Sequence, residues 1–190
     1  MIYLASSSPR RAELLCQIGV QFHILDVEVD ESKNTTESAQ QYVGRMAETK
    51  AKTGASLVSV DAPVIAADTI VTIDGKILGK PGDASRCREM LAQLSGRQHQ
   101  VLSAVALSYE GDIKLRISQN RVSFRQLQAT EIETYCLSQE PLDKAGAYAI
   151  QGRAAIFIDH LEGSYSSVMG LPLFETADLL KQAGIAVLKT

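Results

Sequence analysis

Ile2-Tyr3-Leu4-Ala5-Ser6-Ser7-Ser8-Pro9-Arg10-Arg11-Ala12-Glu13-Leu14-Leu15-Cys16-Gln17-Ile18-Gly19 opens the chain and changes its period once. Ile2 to Ala5 reads as a short buried strand, whereas Leu14, Leu15 and Ile18 recur at helical spacing. Between them Ser8 is placed to cap a helix, Pro9 suits its first turn, and Gly19 suits the position just past its end. A strand that feeds a helix, followed by a second strand around Phe22 to Leu25, predicts the start of a parallel βα arrangement.

Outward from this unit, Ala39, Val43, Met46, Ala47 and Ala51 predict a helix over residues 36–53, with Lys50 on its apolar face. Val64 to Ile73 is mostly apolar and β-branched, a central buried strand interrupted by Asp68-Thr69. Asp83 and Gly96 frame a helix over 84–94 whose core face is Cys87, Met90, Leu91 and Leu94. Alternating runs over 101–109, 113–118 and 121–127, hinged at Glu110-Gly111-Asp112, predict an antiparallel meander. A short helix over 131–137, a strand over 154–158 and a last helix opened by Pro172 complete the chain, the last with Leu173, Phe174, Ala177 and Leu180 inward. Parallel units followed by a meander imply an α/β fold with a mixed, twisted sheet flanked by helices. No repeat or low-complexity linker interrupts residues 1–190, so one two-lobed domain is expected.

Composition narrows the function. Of 190 residues, 19 are Lys or Arg and 22 are Asp or Glu, a formal charge of 19 − 22 = −3. With hydrophobic residues at 45%, disordered, collagen-like and coiled-coil classes drop out. No basic run tracks a nucleic-acid backbone, so no polymeric nucleic-acid partner is expected. No apolar stretch is long enough for a membrane span, and no basic segment precedes the first apolar run as in a signal peptide. These features predict a cytoplasmic protein. Cys16, Cys87 and Cys136, widely spaced and odd in number, are expected to be reduced, mostly buried thiols.

Phosphate chemistry is what the polar residues suit. Ser6, Ser7, Ser8, Arg10 and Arg11 crowd one helix N-terminus, where backbone N–H groups and the macrodipole favour an anion. Arginine there opposes the dipole, so something negative should compensate. An ordinary Ser-Pro cap with solvated arginines is the alternative. Lys50 either snorkels to water or faces a ligand, and Lys80 and Lys144 fall on loops. Asp30, Glu31 and Asp68 offer hard oxygens for a cation such as magnesium shared with substrate phosphates. Within its apolar run Asp68 is either half of a structural ion pair or a catalytic carboxylate. Walker, dinucleotide-binding and serine-hydrolase motifs are absent, the histidines lack metal spacing, and His99 reads as a surface strand residue.

The segments Leu4 to Leu15, Asp30-Glu31, Ala47 to Ala51, Ala66 to Val71, Gly79-Lys80-Pro81, Leu94-Ser95-Gly96, Pro141 to Gly152, Gly163-Ser164-Tyr165 and Gly170-Leu171-Pro172 together resemble the Maf family of nucleoside triphosphate pyrophosphatases. The resemblance spans nearly the whole chain. It implies an inosine triphosphate pyrophosphatase-like fold with two lobes and a central cleft, a homodimer, and a divalent cation, Mg2+ or Mn2+. It makes Asp68 the proton acceptor. Arg11, Thr69 and Gln151 match the positions that separate subfamilies, and they look like the branch acting on dTTP and UTP rather than on 7-methyl-GTP.

On this reading the catalytic group is Asp68, Lys50 and Lys80, and Glu31 and Asp68 hold the metal. Ser6, Ser8, Arg10, Arg11, Thr69, Lys144 and Gln151 bind the nucleotide, whose triphosphate is hydrolysed to a monophosphate and pyrophosphate. The amide of Gln151 can read a uracil or thymine edge. Modified pyrimidine nucleotides are further expected substrates. The alternatives are a nucleotide-binding regulator of septum formation and cell division, and a purine-directed house-cleaning pyrophosphatase.

Overall fold

A computed structural model describes residues 1–58 and 62–188. Strand β1 (Ile2–Ala5) leads into helix α1 (Pro9–Gln17), then β2 (Phe22–Leu25), α2 (Ala39–Ser56), β3 (Val64–Ile73) and β4 (Lys76–Leu78). Helix α3 (Ala84–Leu94), strands β5 (Gln98–Tyr109) and β6 (Asp112–Phe124) and helix α4 (Ala129–Leu137) follow. Two 3-10 turns (Ala145–Ala147 and Arg153–Phe157), β7 (Ile158–Glu162), α5 (Tyr165–Met169) and α6 (Leu173–Gln182) end the described chain.

The seven strands form one mixed sheet in the order β2-β1-β3-β5-β6-β7, with β4 paired to β3 outside that path. β1 runs parallel to β2, Ile2 opposite Phe22 and Ala5 opposite Leu25, and parallel to β3, Tyr3 opposite Val64. β4 returns antiparallel on β3, and β7 antiparallel on β6. The βα start and the later antiparallel strands are therefore both present, as the periodicity predicts.

The chain forms two compact units. The first comprises residues 1–68, 103–118 and 170–190, the second residues 69–102 and 119–169. In the first, Ile2, Leu4, Leu15, Met46, Ile65, Leu107, Leu179 and Leu180 are wholly or almost wholly buried. Helix α2 lies close on β1 and β3: a Cβ on Gly54 would stand 2.7 Å from Ala5 Cβ and 2.9 Å from Val64 Cγ1, which only glycine avoids. In the second unit the core gathers Leu91, Leu94, Val101, Val122, Phe124, Tyr135, Tyr148 and Phe157.

Several local expectations are corrected. α2 begins at Ala39 because Ser38 caps it in a reciprocal box with Gln41, leaving Thr36 outside. The two predicted runs 113–118 and 121–127 fall on one continuous strand, β6, which ends at Phe124 and leaves 125–127 outside it. Residues 153–157 are a 3-10 turn, and β7 starts at Ile158. Pro172 is the N-cap of α6, whose buried face is Thr176, Leu179 and Leu180, while Phe174 is 81% exposed. Leu180 faces inward as expected, and the packing surface of α6 turns toward Thr176 and Leu179 rather than Phe174.

Two corrections concern chemistry. His99 is not on the surface: it is 2% exposed, shares a 2.8 Å hydrogen bond with the Tyr148 hydroxyl, and packs edge-on against Phe124. Cys87 and Cys136 are not separate thiols but a disulfide between α3 and α4, with Cα atoms 5.9 Å apart, and Cys16 is free and exposed. Forty-nine residues separate the paired cysteines, so only the packing of α3 on α4 brings them together.

Candidate active site

Ser6, 6% exposed, organises the end of β1. Its hydroxyl accepts a hydrogen bond from Ser8 N–H at 3.2 Å and one from Arg11 Nη1 at 3.0 Å. Ser8 occupies the N-cap of α1, yet its side chain makes no capping bond, and its own N–H is held by the Ser6 hydroxyl. Arg11 donates from Nε to the Gly170 carbonyl at 2.9 Å. Burial pulls its guanidinium below the usual arginine range and Arg10 pushes the same way, while the Asp68 and Glu31 carboxylates oppose this. Arg11 is thus a fixed positive group beside two carboxylates.

Those carboxylates meet at Lys50. Its Nζ donates to Glu31 Oε1 and Asp68 Oδ1, 2.7 Å from each. The Lys50 and Asp68 side chains are 12% and 13% exposed, whereas Glu31 is half exposed. Lys50 therefore does not snorkel to water; it is the cation of the ion pair that Asp68 requires. Glu31 reaches it from an irregular segment whose backbone is tied to α2: Tyr42 Oη donates to the Glu31 carbonyl at 2.9 Å, and Arg45 Nη2 to that of Ser32 at 3.0 Å. Asp30 turns away, accepting from Ser32 N–H and Oγ at 2.8 and 2.9 Å, which lowers its pKa.

Tyr42 escaped the sequence reading. Burial raises its phenol pKa, and the Asp68 and Glu31 charges add to the shift, so it belongs to the same neighbourhood. Residues 42, 46 and 50 share one helical stripe, which is the signal that would have found it. Gly170 contributes only a carbonyl and has no side-chain signature.

The second unit carries the other candidates. Lys80 is exposed in the loop before α3. That loop is tied to the segment around Lys144 by Gly146 N–H to Gly79 O at 3.1 Å and Gly82 N–H to Leu142 O at 3.2 Å. Lys144 pairs with its neighbour Asp143. Gly146 has φ of +68°, and a Cβ there would stand 2.8 Å from the Val71 side chain, so left-handed backbone and close approach both require glycine. Successive strand residues face opposite sides, so Thr69 shares the Val71 face of β3 and Asp68 takes the other. Gln151 is exposed on a turn closed by Gly152 N–H to Ala149 O at 3.0 Å.

The structure thus brings Ser6, Arg11, Glu31, Lys50 and Asp68 into one first-unit cluster, with Arg10 and Ser8 on the same helical turn. Lys80 and Lys144 lie on mutually bonded loops of the second unit. The first-unit cluster sets three cationic side chains, Arg10, Arg11 and Lys50, against two carboxylates, a surplus suited to an anion. Glu31 and Asp68 are hard oxygen donors converging on the point the Lys50 ammonium occupies, and they are the residues that could hold a divalent cation. Among the described residues no group of three or more His, Cys, Asp or Glu forms a complete metal cage, and no helix is long and apolar enough to cross a membrane.

An α/β sheet with phosphate-suited cations and paired carboxylates defines a class of anion-handling proteins, which comparison with known sequences makes specific. The Maf-like protein family model matches residues 1–183, and the chain belongs to that family. The dTTP/UTP pyrophosphatase of Methylococcus capsulatus is 53% identical over 185 residues, covering 97% of this chain and 91% of the relative. That of Nitrosomonas europaea is 49% identical, covering 98% and 96%. Among solved structures, a nucleoside-triphosphatase, dITP/XTP pyrophosphatase, from Mycobacterium abscessus gives a TM-score of 0.47 at 19% identity over 96% of this chain and 93% of that one. The Staphylococcus aureus Ham1 protein gives 0.42 at 15%, over 65% and 71%. These are loose likenesses, and membership rests on the sequence matches.

Proposed function

We propose that the protein hydrolyses nucleoside triphosphates between the α and β phosphates, releasing a nucleoside monophosphate and pyrophosphate, with dTTP and UTP preferred. The observation that carries this is the Lys50 ammonium held 2.7 Å from both Glu31 and Asp68, beside the half-buried Arg11. Relatives named dTTP/UTP pyrophosphatases at about half identity over nearly the whole chain support the reaction and the bases. Modified pyrimidine nucleotides fit the same reading, as does action in the cytoplasm as a homodimer.

Each residue then has a physical task. Arg10, Arg11, Ser6 and the α1 N-terminus bind phosphate oxygens, and the two guanidiniums offer forked donors to them. Arg11 is preorganised, because Ser6 and Gly170 already hold two of its N–H groups. Lys50, Lys80 and Lys144 neutralise charge that builds on the leaving pyrophosphate. Asp68 orients the attacking water and accepts its proton, with Lys50 fixing the carboxylate. Glu31 and Asp68 would hold Mg2+ or Mn2+, which supplies charge neutralisation at the phosphates when bound. Gln151 and Thr69 discriminate the base.

The test is pyrophosphate release from a panel of triphosphates with Mg2+ or Mn2+, using the wild type and Asp68→Asn. Pyrophosphate from dTTP and UTP, lost in the variant, is the expected result. Faster turnover of inosine or xanthosine triphosphate would select the purine-directed alternative, and nucleotide binding with no turnover the regulatory one.

A further inference from the structure

Gln151 protrudes from a segment anchored on both sides by polar contacts to which no role has been assigned. On its N-terminal side the Tyr148 hydroxyl lies 2.8 Å from His99 Nε2 on β5. The Tyr148 ring packs edge-on against Phe124 and His99, at centroid distances of 4.9 and 5.4 Å. On its C-terminal side Glu140 accepts from Arg153 N–H, at 3.0 Å to Oε1 and 3.2 Å to Oε2, and from the Tyr135 hydroxyl at 3.0 Å. A Cβ on Gly152 would fall 2.2 Å from Glu140 Oε1, so the carboxylate occupies space that glycine leaves open. Tyr135 in turn packs on Phe157, at the end of the same segment.

We propose that Glu140 and the His99–Tyr148 pair are positioning residues for Gln151, fixing the two ends of its turn so that its amide meets the pyrimidine edge in one orientation. This rests on the base-reading role proposed for Gln151. Hydrogen bonds discriminate bases only if the reader is already ordered, since an amide free to rotate offers donor and acceptor alike. An exposed turn residue has no packing of its own to supply that order. Here Glu140 pins the backbone at Arg153, two residues after Gln151, and Tyr148 pins it three residues before. Burial lowers the His99 pKa to about 4, so the ring stays neutral and keeps a hydrogen bond, not a charge, toward Tyr148 at neutral pH.

The test compares steady-state pyrophosphate release from UTP and from inosine triphosphate in the wild type, Gln151→Ala, Glu140→Ala, Glu140→Gln, Tyr135→Phe and Tyr148→Phe. Gln151→Ala is expected to raise KM for UTP about tenfold, with little change for inosine triphosphate. Glu140→Ala should reproduce that selective rise with kcat within about twofold of wild type, and Glu140→Gln, which keeps an acceptor, should restore most of it. The double variant Gln151→Ala/Glu140→Ala should be no worse than either single one. Should Glu140→Ala fail to fold, Tyr135→Phe and Tyr148→Phe keep their rings and lose only the hydroxyls, and the same selective KM rise is expected of them.

A Gln151→Ala effect with no matching effect in the Glu140 and tyrosine variants overturns the positioning role. So does an equal loss of kcat on both substrates, which a merely structural contact produces. A Gln151→Ala protein with unchanged preference removes the base-reading role itself and this inference with it, and leaves the hydrolase reading intact if pyrophosphate is still released.

Discussion

Lys50 Nζ donates to Asp68 Oδ1 at 2.7 Å across 18 residues of sequence, and Glu31 closes on the same ammonium from the opposite direction along the chain. A lysine on an apolar helix face and a carboxylate in an apolar strand are each costly alone. Together they form a charged unit whose parts cannot be removed independently.

Replacing Asp68 with Asn should therefore lower pyrophosphate release by about a hundredfold or more, the range in which general-base groups act. Replacing Lys50 with Met should do the same to activity and also destabilise the fold by about 3 kcal/mol, because two carboxylates then face each other without their cation. Urea unfolding of both variants alongside the kinetics checks the pair.

Arg11→Lys keeps the charge and loses the fork. Arg11 bonds Gly170 O through Nε and Ser6 Oγ through Nη1, and a single ammonium cannot span both. The expected outcome is a rise in KM for the triphosphate together with about 1–3 kcal/mol of lost stability. An unchanged KM would show that Arg11 does not bind substrate.

Acid should weaken the second unit through His99. Burial holds its pKa at about 4, below the ordinary 6.5, so between those values the unfolded chain takes up a proton that the folded chain refuses. Stability is full above pH 6.5 and falls as pH drops toward 4, by at most about 3 kcal/mol. Unfolding free energies measured from pH 7 to pH 4 should show this slope, and His99→Phe should flatten it.

Gly54→Ala should destabilise by about 1–3 kcal/mol, since its Cβ would meet Ala5 and Val64 below 3 Å and α2 must shift off the sheet. Because Lys50 lies one turn earlier on that helix, the variant should lose activity as well. Thermal unfolding and pyrophosphate release measured on one preparation decide whether the two losses travel together.

Thiol counting on the denatured, unreduced protein should find Cys16 alone, and reduction should expose Cys87 and Cys136. A link closing about 50 residues is worth about 4 kcal/mol through the entropy of the unfolded chain, so reductant should lower the urea midpoint. Cys87→Ser should show the same midpoint with and without reductant.

The elements were legible in the sequence where their signals are local. Strand β3 and helix α3 occupy the predicted residues, because a continuous β-branched run, an Asp cap and helical spacing are read over a few neighbours. The phase of α6 and the nature of residues 153–157 were not, because a cap or a turn there answers to the surface it packs on. Lys50 and Asp68 could be picked out as costly residues, yet not as partners of each other.

The sequence by itself determined the α/β class, the helix terminus bearing Arg10 and Arg11, and membership of the Maf family. Only the tertiary structure decided that Ser6 holds Ser8 and Arg11, that Lys50 stands between Glu31 and Asp68, that His99 is buried on Tyr148, and that Cys87 bonds Cys136. Periodicity and capping act over one or two turns of chain, whereas an ion pair or a disulfide depends on which distant elements share a surface, and that is settled only when the whole core packs.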